Sequence, residues 1–393
     1  MDRRILLTLL LAVFIALIGI GIIAPVMPLY ATELGATGLS LGLIVAGFSL
    51  SRGLVQPLVG GYADRYGKKR FLVCGLLVYT VVGTLFTSAE TVGHLILIRI
   101  LHGIGSAMIV PIAMAYVGEM APRGQEGKYM GQLNIALFSG IGGGPVIGGV
   151  FLDIWGMNSA FYAMAALSGL SLGLVLFFLP PRNCDQQSES RQSLPATFLA
   201  MSRSVRVMGI LLSRMATMLI MVPTMAFLPL LMTEFMEASG TRIGIVVASR
   251  TLINAVLQTP FGRWVDTGRK ANLLLAGSCL ISLTMFLVPL AGGFPQLVFL
   301  FMFMGVGEAV VWPALGAMAA EEGRTFGQGA MMGVFNLAMS VGVFFGALGA
   351  GLMMDLFGLA WVFYLIAVFL LITSLLAKAM IGGGFRAVDG LEP

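Results

Sequence analysis

Uninterrupted apolar runs, each long enough to cross a lipid bilayer, fill nearly the whole chain. A membrane-spanning helix needs roughly 20 consecutive, mostly apolar residues. Such runs are read at about 5–30, 39–61, 70–88, 94–116, 130–152 and 159–180, and again at about 207–233, 243–264, 271–291, 297–319, 330–353 and 359–381. In hydrocarbon the backbone must satisfy its own hydrogen bonds, which leaves only helices or a closed barrel. The runs are continuous rather than alternating, so they predict helices. The first run carries Pro25 and Pro28 and exceeds the roughly 7–15 apolar residues of a signal peptide, so it reads as a spanning helix. Composition agrees. Only 10% of the 393 residues are charged, against roughly 25% in soluble domains, so water is not the main solvent of this chain.

The expected fold is therefore an all-α integral membrane protein of twelve transmembrane helices. The one polar stretch, 181–206, divides it into an N-terminal six-helix bundle (1–180) and a C-terminal one (207–382), with a tail at 383–393. Charge sets the expected orientation. With the N-terminus in the cytoplasm, cytoplasmic segments hold 18 of the 23 Lys and Arg residues, and external loops hold Arg242 alone. The positive-inside rule then places both termini in the cytoplasm. Topology thus accounts for a pI near 9.3, and no nucleic-acid partner is expected. The three cysteines, Cys74, Cys184 and Cys279, have no metal-ligand spacing, so neither a metal site nor a disulfide is expected.

The two halves repeat. An offset of 202 pairs Asp64 with Asp266, Gly103 with Gly305, Pro111 with Pro313, Glu119 with Glu321, Asn134 with Asn336, Gly140 with Gly342, Gly144 with Gly346 and Asp153 with Asp355. A six-plus-six repeat is a transporter architecture, with the binding site at mid-membrane between the halves. The chain has no G-x-x-x-x-G-K-[ST] loop, which argues against ATP coupling. It has no filter-like carbonyl loop or acidic ring, which argues against a channel, and no nucleophile–base pair for an intramembrane enzyme.

The loop after the second run reads Gly60-Gly61-Tyr62-Ala63-Asp64-Arg65-Tyr66-Gly67-Lys68-Lys69-Arg70. It resembles the G-x-L-A-D-R-x-G-R-K loop of the major facilitator superfamily. The first run has Ile18-Gly19 and Pro25-Val26-Met27-Pro28, and the fourth has Arg99, Gly103 and Gly105, with His102 in place of the usual Gln. The fifth carries Gly140, Gly144, Pro145, Gly148 and Gly149, and together with the first run it resembles the full motif set of that superfamily's twelve-helix drug:proton antiporters. The resemblance implies a cytoplasmic gate of Gly60, Asp64, Arg65, Gly67, Lys68 and Lys69, with Asp266 as its looser counterpart. Asp64 would sit at the N-terminus of the eleventh helix, whose partial positive charge favours a carboxylate. The glycines of the fifth run fall four apart on one face, the spacing that lets helices touch backbone to backbone.

Ionisable groups at mid-membrane are costly and normally face protein or water. Here they are Arg52, Arg99, Arg214, Arg250 and Glu308, an excess of positive charge that suits an anionic or amphipathic substrate. Arg52, Arg99, Asn134, Arg250, Trp312 and Asn336 are the candidate substrate-binding residues; Trp312 lies one turn beyond Glu308. Glu308 is the only carboxylate in the middle of a spanning run, which makes it the candidate proton carrier. The reading is a secondary-active exporter exchanging protons for small amphipathic or anionic compounds by alternating access. It is expected to act as a monomer in the plasma membrane of a bacterium, without a cofactor. A proton-coupled importer or an amphiphile flippase on the same fold is the alternative.

Overall fold

The computed structural model describes residues 3–120, 126–180, 194–267, 269–326 and 328–382, all helices and short turns. Among the described residues, twelve helices are long and apolar enough to cross a membrane. In the N-terminal half these are α1 (Arg3–Glu33), α2 (Gly38–Tyr66), α3 (Lys68–Phe86), α4 in two segments (Val92–Ala107 and Val110–Met120), α5 (Glu126–Trp155) and α6 (Met157–Phe178). In the C-terminal half α7 has three segments, Val205–Leu219, the π-helical Pro223–Phe227 and Leu228–Met236. It is followed by α8 (Gly240–Thr267), α9 (Lys270–Leu287), α10 (Phe294–Phe326), α11 (Gln328–Phe357) and α12 (Leu359–Ile381). Part of the polar stretch between the halves forms a further short helix, Leu194–Arg203.

The turns are tight where the repeat requires it. A single residue joins α5 to α6 and α11 to α12: Gly156 at φ 80° and Gly358 at φ 93°, again 202 apart. A side chain there would be strained, because a Cβ disfavours the left-handed region. α10, at 33 residues, is about 50 Å long at 1.5 Å per residue. It therefore outruns the roughly 30 Å hydrocarbon core, and its polar end carries Glu321 and Glu322. Arg206 reaches both, at 2.9 and 3.1 Å, and Lys270 also pairs with Glu321. These exposed or half-exposed bridges tie the ends of α7, α9 and α10 together.

Packing repeats with the sequence. α1 packs on α5 and α6, α2 on α4, and α3 on α4 and α6; α7 packs on α11 and α12, α8 on α10, and α9 on α10 and α12. The halves meet chiefly along two seams, α2 against α11 and α5 against α8, which exchange under the same offset. Glycines let both seams close. A Cβ on Gly42 would stand 2.3 Å from the Ala347 carbonyl oxygen, and one on Gly244 would stand 2.2 Å from that of Pro145.

Candidate functional site

The polar centre of the C-terminal half is built on α7, α8 and α10. Arg250 and Asn254 sit one turn apart on α8, and Glu308 faces them from α10; all three are buried. Gly305 allows this approach, since a Cβ there would lie 2.4 Å from the Arg250 carbonyl oxygen. The Arg250 Nη1 lies 3.5 Å from Glu308 Oε1, and Asn254 Nδ2 donates to Glu308 Oε2 at 3.2 Å. The guanidinium has closer partners on α7. Nη1 donates to Thr224 Oγ1 at 2.6 Å, and Nη2 lies 3.2 Å from the Met221 sulfur.

Those partners depend on a local fault in α7. Pro223 has no N–H and its ring crowds the preceding turn. The chain answers with a π-helical stretch, Pro223–Phe227, in which the Leu228 N–H bonds to the Pro223 carbonyl. Single π turns often mark functional positions in helices; this one adjoins Met221 and contains Thr224. The charged pair is loose. Charge-assisted N–H···O bonds run at about 2.7–2.9 Å, so at 3.5 Å the carboxylate is a neighbour of Arg250 rather than clamped by it.

Trp312, one turn beyond Glu308, is half-buried and reaches the N-terminal half, its ring 5.8 Å from that of Phe138 on α5. Asn134, one turn before Phe138, is also half-buried. Glu308, Arg250, Trp312 and Asn134 therefore lie on α8, α10 and the α5 face that α10 touches.

Other candidates lie elsewhere. Arg99 turns into the N-terminal bundle: its guanidinium sits over the Phe48 ring at 5.1 Å, and its Nη1 lies 3.3 Å from His102 Nδ1. His102 is fully buried, edge-on to Tyr79 and Phe48. Arg52 is half-buried on α2, and its Nε has no partner. Arg214 stacks on Phe335 at 4.6 Å, with Nη2 at 3.3 Å from the Met339 sulfur. Arg52, Arg99 and Arg214 have no carboxylate partner among the described residues. Asn336 is exposed.

The glycines of α5 divide between two neighbours. A Cβ on Gly140 would lie 2.8 Å from the Phe14 carbonyl oxygen, on Gly144 2.5 Å from Gly21 Cα, and on Gly148 2.1 Å from the Ile22 carbonyl oxygen, all on α1. Gly149 faces α8 instead, its Cβ position 2.1 Å from the Gly240 carbonyl oxygen. Pro145 lies on that seam too, against Gly244. In the loop after α2, Gly67 caps α2 at φ 92°, Lys68 is buried and Lys69 Nζ donates to the Leu176 carbonyl at 2.8 Å. The surroundings of Gly60 and the side-chain placements of Asp64, Arg65 and Asp266 lie outside what the structure describes. Thr224 and Asn254 carry no motif; the one signal for Asn254 is an amide one turn from an arginine inside an apolar helix.

Two six-helix bundles with matching packing, joined along two exchangeable seams and enclosing an ion pair, define a twelve-helix membrane transporter. The chain belongs to the Major Facilitator Superfamily, whose family model matches residues 9–236 and again 209–384. The chain is 29% identical over 373 residues to the uncharacterized MFS-type transporter MJ1560 of Methanocaldococcus jannaschii, covering 93% of this chain and 95% of that one. It is 27% identical over 363 residues to multidrug resistance protein 1 of Bacillus subtilis, covering 90% and 91%. Among solved structures, a bacterial homologue of the human lysosomal transporter Spinster shares the fold with a TM-score of 0.83 at 14% identity, covering 99% of this chain and all of that one.

Proposed function

We propose that this transporter is a proton-coupled exporter of small amphipathic organic compounds, working by alternating access, with Glu308 carrying the proton. One observation carries the reading: among the described residues Glu308 is the only buried carboxylate, and it is loosely held beside Arg250. Burial favours the neutral form of any carboxyl group and an adjacent guanidinium favours the charged form. A small change in that distance therefore shifts the balance. When Glu308 is protonated, Arg250 keeps Thr224 and Met221; when it is ionised, the pair re-forms. An antiporter needs substrate and proton to exclude each other. An amphipathic compound seated against Trp312 and donating a hydrogen bond to the carboxylate does so directly. Similarity to the Bacillus multidrug resistance protein supports export.

The guanidiniums of Arg52, Arg99 and Arg214, without carboxylate partners among the described residues, favour a second reading, an anion transporter. There the sign reverses, because a proton on Glu308 adds positive charge and assists the anion, which gives cotransport. Flux against an imposed pH gradient in inverted vesicles separates the two. The cytoplasmic gate at Asp64, the inner-membrane location and the cytoplasmic termini belong to the same proposal. The test of Glu308 is substitution with Gln, which mimics the protonated form. Glu308→Gln should abolish pH-driven uphill transport in proteoliposomes and leave weaker substrate binding and exchange that no longer vary with pH. Uphill transport with unchanged proton movement would place the coupling group elsewhere.

A further inference from the structure

The two seams end in a pair of contacts that the repeat relates to each other. Asp355, near the C-terminal end of α11, accepts hydrogen bonds from the first two backbone N–H groups of α2: Gly38 N at 2.7 Å to Oδ1 and Leu39 N at 2.8 Å to Oδ2. Asp153, at the same point of α5, accepts from the first two N–H groups of α8: Gly240 N at 2.7 Å to Oδ1 and Thr241 N at 2.8 Å to Oδ2. The Thr241 hydroxyl adds a further bond to Oδ2. Each aspartate, each acceptor oxygen and each N-terminal glycine maps onto its counterpart with the offset of 202.

These contacts are not ordinary helix caps. α2 and α8 each have a local hydroxyl at their start: Thr37 accepts from Ser40 N, and Ser239 accepts from Arg242 N, again 202 apart. Each hydroxyl takes the third N–H of its helix and leaves the first two unspent. A carboxylate from the opposite bundle takes those two, where the helix terminus carries roughly half a positive charge. Glycine holds the backbone close enough: a Cβ on Gly38 would stand 2.8 Å from Asp355 Oδ1, and one on Gly240 3.0 Å from Asp153 Oδ1. No basic side chain is involved in either contact.

We infer that Asp153 and Asp355 are a twofold-related latch that holds the bundles together at the end of the membrane opposite the Asp64 loop. Each aspartate belongs to one half and grips the other, so any rocking that parts the bundles at this end breaks both grips together. The latch acts on the equilibrium between the closed and open forms of this face, whichever way substrate moves. It is thus independent of the coupling reading for Glu308.

The experiment measures distance across that face. Cysteines at the exposed positions Glu33 (the end of α1) and Glu237 (just past α7) carry spin labels, in a chain with Cys74, Cys184 and Cys279 changed to Ser. Asp153→Ala and Asp355→Ala should each raise the long-distance, open population relative to the closed one by roughly two- to thirtyfold, the range for loss of a capping side chain. The double variant should multiply the two effects. A double variant with the unsubstituted protein's distance distribution overturns the proposal. If the aspartate variants fail to fold, Thr241→Val, which removes one donor and keeps the shape, decides instead. A shift toward the open form supports the latch, and none overturns it.

Discussion

Arg250 performs a task that lysine could not. Its planar fork presents several donors in fixed directions, and it meets Thr224, Met221 and Glu308 at once. Removing one member of a buried ion pair leaves an uncompensated charge, at a cost of about 3–5 kcal/mol. Arg250→Met should therefore lower the thermal stability of the purified protein sharply, while adding Glu308→Gln to it should recover most of the loss. If the double variant is no more stable than Arg250→Met alone, the two groups are not energetically coupled. The charged pair was legible in the sequence because a charge inside an apolar run stands out. Thr224 and Asn254 were not, because hydroxyls and amides are ordinary in spanning helices. Only the π turn at Pro223 and the helical register bring these two against the pair.

Helix α5 is packed between two partners, α1 and α8, and its glycines are not equivalent. Gly144 lies so close to α1 that an added methyl would stand 2.5 Å from the Gly21 Cα, whereas Gly143, the next residue, has nothing within 4 Å. Backbone cannot yield as a flexible side chain can, and overpacking typically costs about 1–3 kcal/mol. Gly144→Ala should therefore destabilise the protein and reduce transport, with Gly143→Ala as the matched silent change. Equal behaviour of the two in a thermal unfolding assay would refute this division of the helix faces. Spacing alone picked out the face bearing Gly140, Gly144 and Gly148. The role of Gly149 against α8 was not readable, because it depends on which helix of the other bundle lies alongside. In α7 the run read as one uniform helix, although Pro223 already marked where it deforms.

At the scale of the whole molecule the repeat was the most legible feature, because a fixed offset survives in single residues such as Asp153 and Asp355. What those aspartates touch was not legible, since each bonds to the opposite half through backbone N–H groups that leave no mark in the sequence. Orientation in the bilayer rests on charge alone and is open to a direct test. α8 has 28 residues, about 42 Å at 1.5 Å per residue, so Glu237 before it and Arg269 after it lie on opposite sides of a core roughly 30 Å thick. Both are exposed. Positive residues favour the cytoplasmic side, and Arg269 and Lys270 flank the second of these turns. In the cysteine-free chain, Glu237→Cys should react with a membrane-impermeant maleimide in intact cells, and Arg269→Cys should react only in inside-out vesicles. The reverse pattern would invert the orientation and place the aspartate latch in the cytoplasm. Labelling of both in intact cells would mean that α8 does not span the bilayer.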